Sequence, residues 1–229
     1  MMKIGIVYTS TTPELIETVE REIKTQFVDC PVEFISVQDP SILNDTIAAG
    51  FVPPAAIRRL VRLYLDVAEE GADLILSVCS SVGEVAGAAE PLFCLMGVPL
   101  IRIDQLMVQT ATAKHERIAV LATLPSTLEP TMNLVRQSAD QFNKSVKIVP
   151  ALAEGGFGLP PDEFQSLLYK TCEPILDQVD AILLAQGSMA YCEEWLRQKV
   201  GKPVYSSPRF AALALKQAAE QLKKCPENV

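Results

Sequence analysis

Short β-branched runs alternate with helix-period stretches along this chain, and halfway through the pattern starts again. Lys3–Tyr8, Val32–Val37, Asp73–Val78 and Pro99–Ile103 read as strands. Between them, Pro13–Phe27, Ala55–Glu70 and Gly83–Met96 carry helical periodicity. From Arg117 the order repeats. Strands Arg117–Ala122, Val146–Val149, Asp180–Leu184 and Pro203–Tyr205 alternate with helices Leu128–Phe142, Asp162–Gln178, one running through Trp195, and Arg209–Lys224. Alternation of this kind predicts parallel sheets covered by helices on both faces.

The restart is an internal duplication. Lys3-Ile4-Gly5-Ile6-Val7-Tyr8-Thr9 aligns with Arg117-Ile118-Ala119-Val120-Leu121-Ala122-Thr123, and Asp73–Ser81 aligns with Asp180–Ser188. Gly97-Val98-Pro99 and Gly201-Lys202-Pro203 close the two copies. Three matches in one order predict two similar α/β halves, residues 1–108 and 117–207. The polar stretch Gln109–Glu116 reads as the linker. The closing segment, 209–229, carries a helix whose Ala/Leu face (211, 214, 215, 218, 222) suits packing on either half.

Composition narrows the function. Of 229 residues, 49% are hydrophobic and 21% charged, which is globular composition with enough chain to bury a sizeable core. A net charge of −8, with no basic cluster beyond Arg58, Arg59 and Arg62, argues against nucleic acid and against anionic membrane surfaces. No apolar run reaches the roughly 18 residues of a membrane span, and the N-terminal apolar stretch is too short for a signal peptide. The six cysteines lack CxxC spacing and His115 is the only histidine, so no metal site is expected. The reading is a cytoplasmic protein with reduced thiols. His115, in the polar stretch, reads as structural or exposed.

In open parallel sheets, ligands bind beyond the carboxyl ends of the strands. Those positions hold Thr9-Ser10-Thr11-Thr12, Cys79-Ser80-Ser81-Val82-Gly83, Thr123 with Ser126 and Thr127, and Gln186-Gly187-Ser188. Each is small and hydroxyl-rich, and each precedes a helix whose first N–H groups face the same space. A small anion, a carboxylate above all, suits such a place better than a polyphosphate, because no GxGxxG or GxxxxGK[ST] is present. The same hydroxyls also serve as ordinary helix caps. Cys79 stands out: a thiol between a strand end and a helix start is expected to have its pKa lowered by the macrodipole, giving a base or a nucleophile. The bland alternative is a small buried hydrophobe.

The whole chain resembles the aspartate/glutamate racemase superfamily, which includes hydantoin racemases, maleate isomerases and arylmalonate decarboxylases. The duplicated halves, Val78-Cys79-Ser80-Ser81 and Leu184-Ala185-Gln186-Gly187-Ser188-Met189 carry the resemblance. It implies two flavodoxin-like parallel-sheet domains related by pseudo-two-fold symmetry and a cofactor-free site between them. It also implies two cysteines, one from each half, working on opposite faces of a small carboxylic acid. Cys79 matches the first; Gln186 stands at the place of the second and does not exchange protons near neutral pH. Cys192, six residues further on, reads as packing.

The resulting expectation is a cysteine-dependent isomerase using Cys79. Thr9, Ser10, Ser80, Ser81, Thr123, Ser126, Thr127, Gln186, Gly187 and Ser188 would bind substrate, Arg58 would clamp a carboxylate, and Tyr8 or water would serve as a second acid. A decarboxylase or lyase on the same scaffold, and a non-catalytic anion-binding protein, are the alternatives. Glu154–Pro161 reads as a lid or as a plain connection. The expected partner is a small carboxylate, with a homodimer as the assembly common among soluble enzymes.

Overall fold

The structure is a computed structural model that describes residues 1–156 and 158–224, the side chains of Lys223 and Lys224 aside. Two four-stranded sheets form, each wholly parallel. In the first, β1 (Met2–Tyr8), β2 (Val32–Gln38), β3 (Leu74–Val78) and β4 (Leu100–Arg102) take the order β2-β1-β3-β4. In the second, β5 (Arg117–Ala122), β6 (Lys147–Leu152), β7 (Ala181–Leu184) and β8 (Val204–Tyr205) take the order β6-β5-β7-β8. The strand order is therefore duplicated along with the sequence, giving two flavodoxin-like halves.

The duplicated residues have a structural task. Lys3 N–H donates to the Asp73 carboxylate at 2.7 Å, and Arg117 N–H donates to the Asp180 carboxylate at 3.0 Å. In return, the N–H of each aspartate donates to the carbonyl of the basic residue, at 2.8 and 2.7 Å. Each aspartate thus pins the start of the third strand of its half to the first, setting the register.

The helices are α1 (Pro13–Gln26), α2 (Pro40–Ala49), α3 (Pro54–Glu69), α4 (Gly83–Leu95), α5 (Gln105–Lys114), α6 (Pro125–Gln141), α7 (Pro161–Cys172), α8 (Glu193–Val200) and α9 (Ser207–Lys224). Thr12 caps α1 and Asp39 caps α2, each just before a proline at the first helical position. Four apolar clusters, one on each face of each sheet, make up the core.

Several sequence expectations need correction. The stretch 109–116, expected to be a linker, is mostly helix: α5 buries Met107, Val108, Ala111 and Thr112, and its apolar residues join the second half's core beside Ile118 and Val120. Its polar residues mask that buried face in the sequence. Helix α2 was not expected at all. The Asp162–Gln178 helix ends as α-helix at Cys172 and continues as a tighter 3-10 turn at Glu173–Gln178, where Pro174 removes a backbone donor. Helix α9 crosses back to the first half, setting Ala211, Ala212, Leu215 and Ala219 against Leu15, Val19 and Ile23 of α1's cluster. Residues 225–229 of the expected closing segment, and Phe157 of the expected lid, lie outside the described residues.

Candidate active site

In each sheet the chain reverses its winding direction beside the first strand, and the crevice at that switch point is where open α/β sheets bind ligands. Here the two crevices face each other. Cys79 follows β3, Ser10–Thr12 follow β1, Gln186–Ser188 follow β7, and Leu124 and Thr127 stand at the start of α6 beyond β5. Together with Ser80, Ser81 and four further aliphatic side chains they line a cavity of about 100 Å³. The halves are tied at its edge by a buried hydrogen bond between Ser81 Oγ and Thr127 Oγ1, 2.7 Å.

Cys79 is half-buried and lines this cavity. Its pKa departs from expectation: burial pushes the thiol up, and hydrogen bonding from the Thr9 hydroxyl, the Val82 and Ser81 N–H groups and the Ser81 hydroxyl only partly offsets this. The macrodipole argument fails for a local reason. A 3-10 turn, Ser80–Val82, intervenes, and α4 begins only at Gly83, so the sulfur stands a turn away from a field that decays within the first turn. The resting thiol is therefore protonated near neutral pH, with donors in place to receive the negative charge of a thiolate.

Gln186 lies opposite in the duplication, and its side chain is already committed. Its Oε1 accepts from Thr123 N–H at 2.8 Å and its Nε2 donates to Thr123 Oγ1 at 2.7 Å. This clasp ties the ends of β5 and β7 and fixes the amide, which retains one N–H and one lone pair for other partners. Gly187 packs close to the opposite half; a Cβ there would come 3.3 Å from Leu15 and Ile103.

Of the expected binding residues, Ser10, Ser80, Ser81, Thr127, Gln186, Gly187 and Ser188 line the cavity. Thr9, Thr123 and Ser126 stand behind its wall, the Thr9 hydroxyl turned toward the Cys79 sulfur and the Ser126 hydroxyl buried without a hydrogen-bond partner. Arg58 is exposed on α3 and does not reach the cavity lining; its neighbour Arg59 instead pairs with Asp45 and Asp39. Tyr8 is packed in the first half's core and kept strongly protonated by burial, outside the cavity lining. Cys192 is buried in the second half's core, its thiol pushed up to about 11 by desolvation. His115 is half-buried, its Nε2 2.9 Å from the Tyr205 hydroxyl.

The aliphatic walls were missed: Leu15, Leu43, Val78, Ile103 and Leu124. Leu43 enters from α2, which the Asp39-Pro40 cap signature would have revealed. Also missed was the buried pair of Arg102 and Asp104, 2.5 Å apart, which braces β4; Arg102 also donates to the Pro130 carbonyl of the other half at 3.4 Å. The guanidinium lies across Gly83, where a Cβ would collide with Arg102 Nε. Among the described residues, no three His, Cys, Asp or Glu side chains gather as a metal ion would require.

The Asp/Glu/hydantoin racemase family model matches residues 4–215. The chain belongs to the Asp/Glu/hydantoin racemase family. Its solved structural relatives include an allantoin racemase from Klebsiella pneumoniae, at TM-score 0.68 and 18% identity, covering 96% of this chain and 89% of that one. A glutamate racemase isoform from Bacillus anthracis superposes at TM-score 0.74 with 14% identity, covering 99% and 85%. A maleate isomerase from Pseudomonas putida, solved with maleate, superposes at 0.64 with 15% identity, covering 96% and 92%. At these identities the likeness is one of fold. No match was found among curated proteins. Among the described residues, no helix is long and apolar enough to cross a membrane.

Proposed function

We propose that this racemase-family chain is a cofactor-independent isomerase of a small carboxylic acid, with Cys79 as its catalytic residue. One observation carries this reading: among the described residues that line the cavity, Cys79 has the only side chain with an ordinary pKa below that of a hydroxyl or an amide, and so the one suited to proton exchange and to nucleophilic attack. The remaining polar lining consists of hydroxyls, amides and backbone groups, which hold a carboxylate and spread developing negative charge.

A single thiol restricts the chemistry to cycles that one group opens and closes. Once its proton has passed to solvent, Cys79 adds as thiolate to an alkene carbon of an unsaturated acid. A C–S bond forms and the π pair moves onto the neighbouring carbon, beside the carboxylate. Rotation about the resulting single bond, followed by expulsion of the sulfur, yields the other geometric isomer and restores the thiolate. Equally, the thiolate removes an α-proton and returns one exchanged with solvent. Two-base racemisation would need a proton donor on the far face, where Gln186 is held by Thr123.

The protonated resting state of Cys79 favours a second reading, decarboxylation. Loss of CO2 from a malonate leaves the electron pair on carbon, and the thiol supplies the proton. Incubation with malonates, unsaturated diacids and amino acids in D2O tests both. Geometric isomer, carbon-bound deuterium or CO2 is expected from wild type and absent from Cys79→Ala. Turnover that survives Cys79→Ala would remove the role assigned here.

A further inference from the structure

We infer that the cavity selects carboxylic acids bearing an aliphatic substituent and lacking an ammonium group; this rests on the reading of the cavity as the substrate site. The walls carry the inference. None of the described residues lining the cavity has a charged side chain, while Leu15, Leu43, Val78, Ile103 and Leu124 give it an aliphatic face. Ser80, a lining residue only 5% exposed, has a buried hydroxyl with no hydrogen-bond partner, an unmet donor at this wall. The first turn of α6, which has no side-chain cap at Leu124, adds a positive helix end at the same wall.

An ammonium group finds no such match. The nearby carboxylates lie outside the lining and are engaged elsewhere: Asp39 with Ser41 and Arg59, Asp104 with Arg102, and exposed Glu14 with its own N–H and the Thr12 hydroxyl. The hydroxyls of Ser81 and Thr127 bond each other. The Gln186 carbonyl accepts the Thr123 N–H, and its remaining lone pair is a neutral acceptor rather than an anion. A free α-amino acid would therefore bury its cation against leucine, valine and isoleucine with no anion to meet it, a penalty that an otherwise identical acid escapes. The aliphatic wall in turn favours a branched alkyl group over a second carboxylate.

The experiment measures binding by calorimetry, to wild type and to Cys79→Ser, of pairs differing only in the amino group: isocaproate and leucine, isovalerate and valine, succinate and aspartate. In each pair the acid without the amino group should bind about tenfold or more tightly, and isocaproate should bind more tightly than succinate. Ser10→Asp, which installs the missing anion at the wall, should move the leucine-to-isocaproate ratio about tenfold toward leucine. Equal or tighter binding of the amino acids, succinate outbinding isocaproate, an unmoved ratio in Ser10→Asp, or no binding by any member would each overturn the inference.

Deuterium incorporation on the same panel separates the two levels. Cys79-dependent exchange confined to amino acids would overturn the substrate class and leave the catalytic reading standing. A binding preference for the des-amino acids, with no Cys79-dependent turnover of malonates, unsaturated diacids or amino acids, would do the reverse.

Discussion

At the residue scale, the state of each thiol follows from what surrounds it. Cys79 has donors beside it yet is pushed up by burial, so its alkylation by iodoacetamide should be slower at pH 7 than that of a free thiol and should accelerate as the pH climbs past the ordinary value of 9.0. Alkylation faster than a free thiol at pH 7 would contradict this. Cys192 and Cys172, raised to about 11 and about 12 by burial, bear on stability. A thiol whose pKa is higher folded than unfolded favours the fold while protonated; that advantage is intact below the unfolded value and is lost as the pH rises through the folded value. The urea midpoint should therefore fall between pH 9 and about 12, and Cys192→Ala should flatten part of the slope. Thr123→Val leaves Gln186 Nε2 without its acceptor, which should cost about 1 kcal/mol, or about 2–4 °C in Tm by calorimetry.

At the scale of elements, short polar ties hold the two halves together beside the cavity. Ser81→Ala leaves the buried Thr127 hydroxyl unpaired and should destabilise by about 1–3 kcal/mol in urea unfolding. The double variant Ser81→Ala with Thr127→Val should lose less than the sum of the two single variants, because no buried hydroxyl is stranded. Gly83→Ala drives a methyl group into the Arg102 guanidinium and parts it from buried Asp104, which should cost about 3 kcal/mol or more. Neither dependence was legible in the sequence. Arg102 and Asp104 look like ordinary surface charge until β4 and α4 enclose them, and Gly83 reads as a helix start.

At the scale of the molecule, α9 makes the two halves inseparable. It leaves the second half and completes the first half's core, so a fragment of residues 1–108 would expose Leu15, Val19 and Ile23 and would also cut α5 in two. That fragment should fail to give a dispersed proton NMR spectrum, whereas the full chain should unfold in one cooperative step. A well-dispersed spectrum from 1–108 would show that α9 is dispensable. The cavity depends on the same arrangement, because its walls come from α1, α2, β3 and β4's end on one side and from the starts of α6 and of the turn after β7 on the other.

The sequence by itself determined the duplication, the strand–helix alternation and the position of Cys79 at a strand end. These are written in local periodicity and in the spacing from Asp73 and Asp180, which bind the neighbouring strand in both halves alike. Only the tertiary structure decided the protonation of Cys79, the commitment of Gln186 to Thr123, the retreat of Arg58 from the site and the aliphatic wall. Desolvation and cavity lining depend on atoms that are distant in sequence, and no local pattern encodes which distant side chain removes the water from a given group.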